Sequence, residues 1–290
     1  MCFLKNHVPL HGLSALLVVG ALMVPFLARD TQAQMTESVE VISPAPGTQI
    51  TTDDIDVQLE VSDYTVDCTK AGMPDEEGVG HIHVMVDGMT MDALANFYCS
   101  DSFTVSGQGL TPGTHTLIVD LATNTHLDLV DTVKEVEFDY QPQTERPLPE
   151  PVEMEGEPGV ELVSPTDGAT VPPKFTIEVS PLNFTPSEGL EGKGNVDGYG
   201  HYHVFVDTDM SMMMEGTPEH EMEMMATPEG TAGMAMPGMI LMPGTDTFEL
   251  DLTAWGPGEH TIWIEPVRND HHQFESFGHV EFTVTVEEET

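Results

Sequence analysis

Basic residues are scarce in this 290-residue sequence. There are 8 Lys and Arg against 50 Asp and Glu, which gives a formal net charge of −42 at pH 7. Proteins bind nucleic acid through a basic surface that contacts the phosphates, so this composition excludes nucleic acid as a partner. A strongly acidic surface attracts cations, and it also keeps an exported protein soluble. The charge is consistent with both roles and does not distinguish them.

Long hydrophobic runs are absent after the N-terminal segment. The apolar stretch there extends only from Leu13 to Leu27, follows Lys5 and precedes a small-residue cleavage site at Ala33. A membrane-spanning helix needs about 20 apolar residues, so the stretch is too short to span a bilayer. We therefore predict a signal peptide over residues 1–34 and no membrane span in the mature chain. The protein is expected to be periplasmic or extracellular.

Cysteines and enzyme motifs are also few. The chain has 3 cysteines, and Cys2 lies in the predicted signal peptide. Cys68 and Cys99 remain, and in an exported protein such a pair predicts a disulfide. The sequence has no Gly-rich phosphate loop, no GxSxG elbow and no HExxH motif, which are signatures of common enzyme classes. We therefore predict that the protein is not an enzyme.

The sequence contains an internal duplication. GVGHIHVMVD, which begins at Gly78, is nearly repeated as GYGHYHVFVD from Gly198. Each copy is followed by a second matching block: TPGTHTLIVDLATNTH begins at Thr111, and GPGEHTIWIEPVRNDH begins at Gly256. The repeat unit of roughly 100 residues is a common size for a single domain. The chain therefore holds two related domains.

The domain boundaries follow from turn signals and composition. The openings SPAPGTQI and SPTDGATV mark the start of each copy, and a stretch rich in Pro and Glu separates the copies. We predict a first repeat over residues 35–140, an extended and stiff linker over 141–158, and a second repeat over 159–290.

Short apolar or alternating segments, bounded by Gly, Pro, Asn or Asp, indicate β-strands in both repeats. The predicted strands are 39–42, 55–61, 81–86, 101–105, 115–121 and 133–140 in the first repeat, and 160–163, 175–179, 201–206, 246–252, 260–266 and 279–286 in the second. No segment has helical periodicity. This pattern predicts an all-β protein made of two tandem immunoglobulin-like antiparallel β-sandwich domains.

Histidine recurs at four equivalent positions of the two repeats, and imidazole is the commonest metal ligand. The candidate metal ligands are His81, His83, His115, His126, His201, His203, His260 and His271. In each HxH pair the two side chains project from the same face of a strand, away from the residues that face the core. We predict one site at His81, His83 and His126, and another at His201, His203 and His271.

Two roles are compatible with the positions of His115 and His260. Their strand parity places them on the side of the core, together with Leu117 in the first repeat and Ile262 in the second. They are either metal ligands or histidines at the rim of the core that bond to the backbone. For all eight histidines, an alternative is a turn architecture inherited through duplication, in which histidine satisfies backbone groups.

A methionine-rich insertion interrupts the second repeat. Residues 209–244 hold 11 of the 19 methionines, and we predict a surface loop there. Its densest part contains the further candidate ligands Met210, Met212, Met213, Met214, His220, Met222, Met224 and Met225. Thioether sulfur is a soft ligand that selects Cu(I). The segment is either a copper-capturing loop or a low-complexity spacer and oxidation target.

These motifs resemble a bacterial exported family, the domain of unknown function numbered 4399. Its pattern runs from an SPxxGxxV opening through GxGHHHLLID to PPGxHTLxLxLxxxxH. The resemblance would carry the family's histidine positions onto the eight histidines given above. This chain departs from the pattern at Ile82 and Tyr202, which replace the middle histidine of the triple, and in the loop between the two blocks. The family has no established activity to transfer.

Two functions are compatible with the sequence. The first is an exported protein that binds a transition metal, copper or alternatively zinc, for sequestration, delivery or metal tolerance. The second is a non-catalytic module of the cell envelope or surface that acts as a spacer or interaction domain. Metal ions are the expected partners, and the sequence does not identify an envelope protein that would receive them.

Overall fold

The computed structural model describes residues 36–210, 230–233 and 235–288. The predicted signal peptide lies outside this range. The first repeat contains β1 (Ser38–Ser43), β2 (Gln49–Ile50), β3 (Ile55–Ser62), β4 (Thr65–Val66), β5 (Val79–Val86), β6 (Leu94–Tyr98), β7 (Ser102–Val105), β8 (Gly113–Thr123), β9 (Asp128–Leu129) and β10 (Lys134–Tyr140). Three short 3₁₀ helices lie between these strands, at Cys68–Lys70, Met91–Ala93 and Val130–Thr132.

The second repeat has a matching series of strands. These are β11 (Gly159–Ser164), β12 (Ala169–Val171), β13 (Lys174–Leu182), β14 (Thr185–Pro186), β15 (Tyr199–Val206), β16 (Thr231–Ala232), β17 (Met239–Leu241), β18 (Thr247–Asp251), β19 (Gly258–Val267) and β20 (Val280–Val286). Within the described ranges, no helix is long and apolar enough to cross a membrane.

Each repeat is a sandwich of a small and a large sheet. In the first repeat, a β1-β3-β7 sheet faces a larger sheet whose strands run in the order β2-β10-β8-β5-β6. The second repeat has the same plan, with β11-β13-β18 facing β12-β20-β19-β15-β17. The long pairings are antiparallel, and only short edge strands pair in parallel. The predicted immunoglobulin-like β-sandwich class is confirmed.

The predicted strands all occur, with ends within about three residues of the predicted ones. The sequence did not reveal β6 or any of the strands of two or three residues, among them β17; β6 and β17 pair with β5 and β15 respectively. In β6, the residues Leu94–Tyr98 are buried or half-buried at every position. The strand therefore lacks the alternation of polar and apolar residues that is typical of a strand with one solvent-exposed face. Strand β17 lies within the methionine-rich segment, whose composition predicts a loop.

Alternating burial along the strands builds one core inside each sandwich. In β3, residues Ile55, Val57 and Leu59 point inward while the intervening residues are exposed. Ile82 and Val84 of β5 complete this first core. Tyr202 and Val204 of β15 occupy the same places in the second core.

A third apolar cluster joins the two repeats, and we call it the interface cluster. Its buried members are Ala71, Met85, Leu94, Phe97 and Ile118 from the first repeat, and Phe205, Met210, Met239, Met242 and Trp263 from the second. These residues lie on the large sheets, on the faces opposite each repeat's own core. The two large sheets therefore pack against each other, and the described residues from Thr36 onward form one compact unit.

The segment predicted as a linker contacts both repeats. Residues 141–158 have no regular secondary structure. The Gly109 N–H donates to the Arg146 carbonyl at 2.7 Å, and the Val152 N–H donates to the Asp197 carbonyl at 2.9 Å. The segment therefore runs along the assembled repeats and does not hold them apart.

The predicted surface loop at residues 209–244 is wrong for the parts that the structure describes. Met210, Met239 and Met242 are buried in the interface cluster. Thr231–Ala232 pairs with β9 of the first repeat, and Met239–Leu241 pairs with β15. Methionine is apolar and adaptable, so it packs between two sheets as readily as it binds metal. Residues 211–229 lie outside the described residues.

Two glycines allow close approach of the repeats. A Cβ atom on Gly72 would lie 2.6 Å from the carbonyl carbon of Gly238, and one on Gly192 would lie 2.5 Å from the Leu94 carbonyl oxygen. Both glycines have positive φ, +77° and +69°. They occupy equivalent positions in the two repeats, so the interface has approximate twofold character.

We predict that Gly72→Ala weakens the interface, because its Cβ would collide with backbone of the other repeat. The matched control is Gly47→Ala, where φ is +73° but no atom lies within 4 Å. The control should lose about 1–2 kcal/mol of unfolding free energy through backbone strain alone. Gly72→Ala should lose more in denaturant titration. Equal losses in the two variants would contradict the close packing at this contact.

Candidate metal centres

Strand β5 directs His81 and His83 toward the other repeat. The predicted parity is correct, since Ile82 and Val84 lie in the core behind them. The expectation of an outward-facing pair is corrected by the packing of the repeats. His81 is 0% exposed and His83 is 1% exposed, because the second large sheet covers this face.

The third histidine of the first repeat is held by a tight turn after β8. The His126 N–H donates to the Thr123 carbonyl at 3.0 Å, and His126 adopts a φ of +69°. This left-handed conformation costs about 1–2 kcal/mol for a residue with a Cβ. Strain of this kind is common at functional sites, where the surrounding structure enforces it.

The ring of His126 has a defined tautomer. Its Nε2–H donates to the carbonyl of Met239 in the second repeat at 2.9 Å. The proton is therefore on Nε2, and Nδ1 presents a lone pair toward His83. Metal-binding histidines commonly have their second nitrogen fixed by a carbonyl or carboxylate in this way.

The three rings converge at short range. His81 Nε2 lies 3.1 Å from His83 Nε2, and His83 Nε2 lies 3.4 Å from His126 Nδ1. A tetrahedral ion with metal–nitrogen bonds of about 2.0–2.1 Å separates its ligand nitrogens by about 3.3 Å. We call this group the first triad; two of its nitrogen–nitrogen distances are close to this value, and its three ligand atoms all lie within 4.8 Å of one another.

The second repeat repeats this arrangement in a second triad of His201, His203 and His271. His201 Nε2 and His203 Nε2 lie 3.2 and 3.3 Å from His271 Nδ1. His271 has a φ of +62°, and its Nε2–H donates to the Leu94 carbonyl of the first repeat at 2.7 Å. Each triad therefore takes its third ring orientation from a carbonyl of the opposite repeat.

Burial keeps five of the six triad histidines neutral. Desolvation is the main cause, and it lowers the pKa of His126 to about 3 and that of His271 to about 4. It lowers the pKa values of His81, His201 and His203 well below their usual range. Neutral imidazole is the form that coordinates metal.

The two triads lie close to each other at the interface. Besides desolvation and its neighbour His271, the charge of His126 from the other repeat also lowers the pKa of His203. The charge of His83 contributes in the same sense to the low pKa of His271. Since the triads influence each other electrostatically, they belong to one interface and are not two remote sites.

Two carboxylates beside the first triad were missed by the sequence reasoning. Asp128 Oδ1 lies 2.7 Å from His83 Nδ1, and the buried Asp120 lies beside His83 in the strand register. Burial raises the pKa of Asp120 to about 7. Asp120 lies two residues after Ile118 in an otherwise apolar stretch of its strand, so the sequence did contain a sign that this carboxylate is buried. No comparable signal marks the carbonyls of Leu94 and Met239.

The structure does not bring His115 and His260 to the triads. His115 Nδ1 lies 2.6 Å from Asp87 Oδ2, and its Nε2 lies 2.7 Å from the Thr111 carbonyl. His260 makes the same contacts with Asp207 and the Gly256 carbonyl, at 2.7 and 3.0 Å. Both ring nitrogens are occupied, so these histidines serve the rim of the core and hold the following turns.

The structure describes one of the candidate ligands in the densest methionine segment. Met210 is 3% exposed and packs in the interface cluster. The other candidates lie outside the described residues: Met212, Met213, Met214, His220, Met222, Met224 and Met225.

The predicted disulfide between Cys68 and Cys99 is confirmed. It joins the 3₁₀ helix at Cys68–Lys70 to the end of β6. Strand β6 carries the Leu94 carbonyl that orients His271. The disulfide therefore stabilises a strand that contributes to the second triad.

No family model matches this sequence, and no curated protein matches it. Among solved structures, fibronectin(III)-like modules of Clostridium thermocellum CbhA are 11% identical, with a TM-score of 0.25; the match covers 86% of this chain and 94% of that one. The N-terminal four Ig domains of Dscam1 isoform 6.44 are 6% identical, with a TM-score of 0.19, over 88% of this chain and 46% of that one. The resemblance to the exported family stays a prediction.

We predict that the metal-free protein loses stability as the pH falls below about 6.5. Unfolded histidines take up protons there, whereas in the folded chain His126 stays neutral down to about pH 3 and His271 down to about pH 4, so each contributes a loss of about 1.4 kcal/mol per pH unit. Asp120, Glu191 and Glu265 have raised pKa values and act in the opposite sense. The five triad histidines with lowered pKa values outnumber them.

Denaturant titrations of the metal-free chain at about pH 7 and about pH 5 measure this slope. His126→Asn removes one of these histidines, so the loss of unfolding free energy between the two pH values should be smaller in this variant. A slope as steep as that of the unmodified chain would show that His126 does not stay neutral in the folded state.

Proposed function

We propose that this chain is an exported metal-binding protein in which each triad holds one transition-metal ion. The observation that carries the proposal is the convergence of three imidazoles in each repeat, with neighbouring ring nitrogens 3.1–3.4 Å apart. The orientation of His126 and His271 by carbonyls of the opposite repeat supports it. The acidic surface would raise the local concentration of cations.

Copper is the metal that we propose, with zinc as the alternative. Imidazole ligands suit both ions, and affinity at nitrogen sites generally rises toward Cu²⁺. The methionine-rich sequence between residues 209 and 244 supports copper, since thioethers select Cu(I). Histidine sites beside a thioether segment would suit copper in both oxidation states.

The proposed role is sequestration, delivery or tolerance of the metal, and not catalysis. His81, His83 and His201 are at most 1% exposed, so the opposite repeat encloses the triads. An enclosed ion is retained, whereas a catalytic ion needs an open position that substrate can reach. The disulfide is consistent with a location outside the cytoplasm.

We predict that the mature chain retains one metal ion per triad after exposure to equal amounts of Cu, Zn, Ni and Mn. His126→Ala should lose the ion of the first triad, and His271→Ala should lose that of the second. The matched control is His115→Ala, which removes a histidine of the same repeat whose nitrogens are already bonded to Asp87 and Thr111. Metal content by mass spectrometry measures all three variants.

The same experiment distinguishes binding from a spacer role. A chain that retains no metal, and whose melting temperature does not change when metal is added, would contradict the proposal. That result would favour the surface-module function instead. Equal losses in His126→Ala and His115→Ala would show that the triads are not the binding positions.

We further predict that the methionine-rich segment recruits Cu(I). Replacing Met212, Met213, Met214, Met222, Met224 and Met225 with leucine removes the thioethers and keeps the segment apolar. Cu(I) affinity, measured by competition with a chelator, should fall, while Zn²⁺ retention by the triads should stay unchanged. Unaltered Cu(I) affinity would assign the segment a spacer role.

A further inference from the structure

We propose a second metal position in the first repeat, formed by His83 Nδ1, Asp120 and Asp128, so that the His83 ring bridges two metal ions. This inference extends the proposed function, since His83 Nε2 belongs to the first triad. The three candidate ligand atoms of the new position lie within 4.8 Å of one another.

The geometry places the two positions on opposite nitrogens of one ring. His83 Nε2 faces His81 Nε2 at 3.1 Å and His126 Nδ1 at 3.4 Å. His83 Nδ1 faces Asp128 Oδ1 at 2.7 Å and Asp120 Oδ1 at 3.9 Å. A neutral imidazole ring has one free lone pair, and loss of its N–H proton frees a second, so the deprotonated ring of a single residue can serve both positions.

Asp120 is the observation that points to a ligand at this position. Its side chain is 2% exposed, and its Oδ1 has no hydrogen-bond partner. Burial of an unpaired carboxylate is costly, and buried charges are normally paired or coordinate a metal. A cation bound between Asp120, Asp128 and His83 would satisfy the unpartnered oxygen.

The second repeat has different residues at the positions equivalent to Asp120 and Asp128. Asp128 pairs with Ala122 across the sheet, and Gln273 makes the equivalent bridge with Val267. Glu265 is the register neighbour of His203, as Asp120 is of His83.

In that repeat the polar groups are already paired with one another. Gln273 Nε2 donates to Glu265 at 3.2 and 3.3 Å, and Trp263 Nε1 donates to the same carboxylate at 3.2 Å. The carboxylate is satisfied by amide and indole donors, so no ligand is required. The second metal position is therefore specific to the first repeat.

Binding at the new position exchanges a proton for a cation. In the metal-free state, His83 Nδ1–H donates to Asp128. When a divalent ion binds, the Nδ1 proton is released to solvent and the nitrogen coordinates the ion together with one oxygen from each aspartate. Asp128 is 23% exposed, which gives the ion a route from solvent and leaves room for water as a further ligand.

The test is Cu²⁺ loading of the mature full-length chain, followed by metal analysis and electron paramagnetic resonance. We expect three copper ions per chain, two of which share the His83 ring and show magnetic coupling. Asp128→Asn should bind two ions and give only uncoupled signals. The matched control is Glu265→Gln, which removes the carboxylate at the equivalent position of the second repeat. This variant should keep all three ions and the coupling.

The outcomes separate this inference from the proposed function. Two uncoupled ions in the unmodified chain, with Asp128→Asn unchanged, would overturn the second position and leave the triads intact. A chain that binds no copper would overturn the triads as well. Asp120→Asn provides a second variant at the same position, and loss of the same single ion there would support the shared ring.

Discussion

The packing of the two large sheets against each other is the contact on which the rest of the structure depends. Each repeat has its own core, but the face that bears the HxH pair would lie open on an isolated sandwich. The interface cluster covers this face with apolar side chains, which removes water from both triads. Desolvation then lowers the pKa values of His126 and His271, which keeps these imidazoles neutral and able to coordinate metal. Assembly of the sites therefore depends on the packing of the two repeats against each other.

Duplication explains how a single strand pattern gives two sites, and divergence explains why the sites differ. The HxH strand, the strained third histidine and the carbonyl acceptor recur in both repeats. The surroundings have diverged: Asp120 and Asp128 lie beside His83, whereas Glu265 and Gln273 bond to each other beside His203. A buried carboxylate without a donor and a satisfied carboxylate have very different electrostatic costs. The first repeat therefore has an unpartnered carboxylate oxygen that could bind a cation, and the second repeat does not have one at the equivalent position.

The methionines of the insertion that the structure describes lie in or against the interface cluster. Those at its described ends, Met210, Met239 and Met242, pack between the repeats as ordinary apolar residues. The strand at Met239–Leu241 also supplies the carbonyl that orients His126. An inserted segment has thus become part of the interface, although its composition alone suggested a solvent-exposed loop. Composition shows that the segment contains thioether side chains, but only the tertiary structure shows that some of them are buried in the interface.

The sequence by itself determined twelve of the strands, the sandwich class and the grouping of histidines, because period-two alternation and sequence repetition can be read along the chain. It also placed Ile82 and the two flanking histidines on opposite faces of β5 correctly. Only the tertiary structure decided that the face bearing the histidines is buried, that His115 is bonded to Asp87, and that carbonyls of the opposite repeat orient the third rings. These features depend on contacts between residues as far apart as Leu94 and His271, and no local pattern in the chain records them.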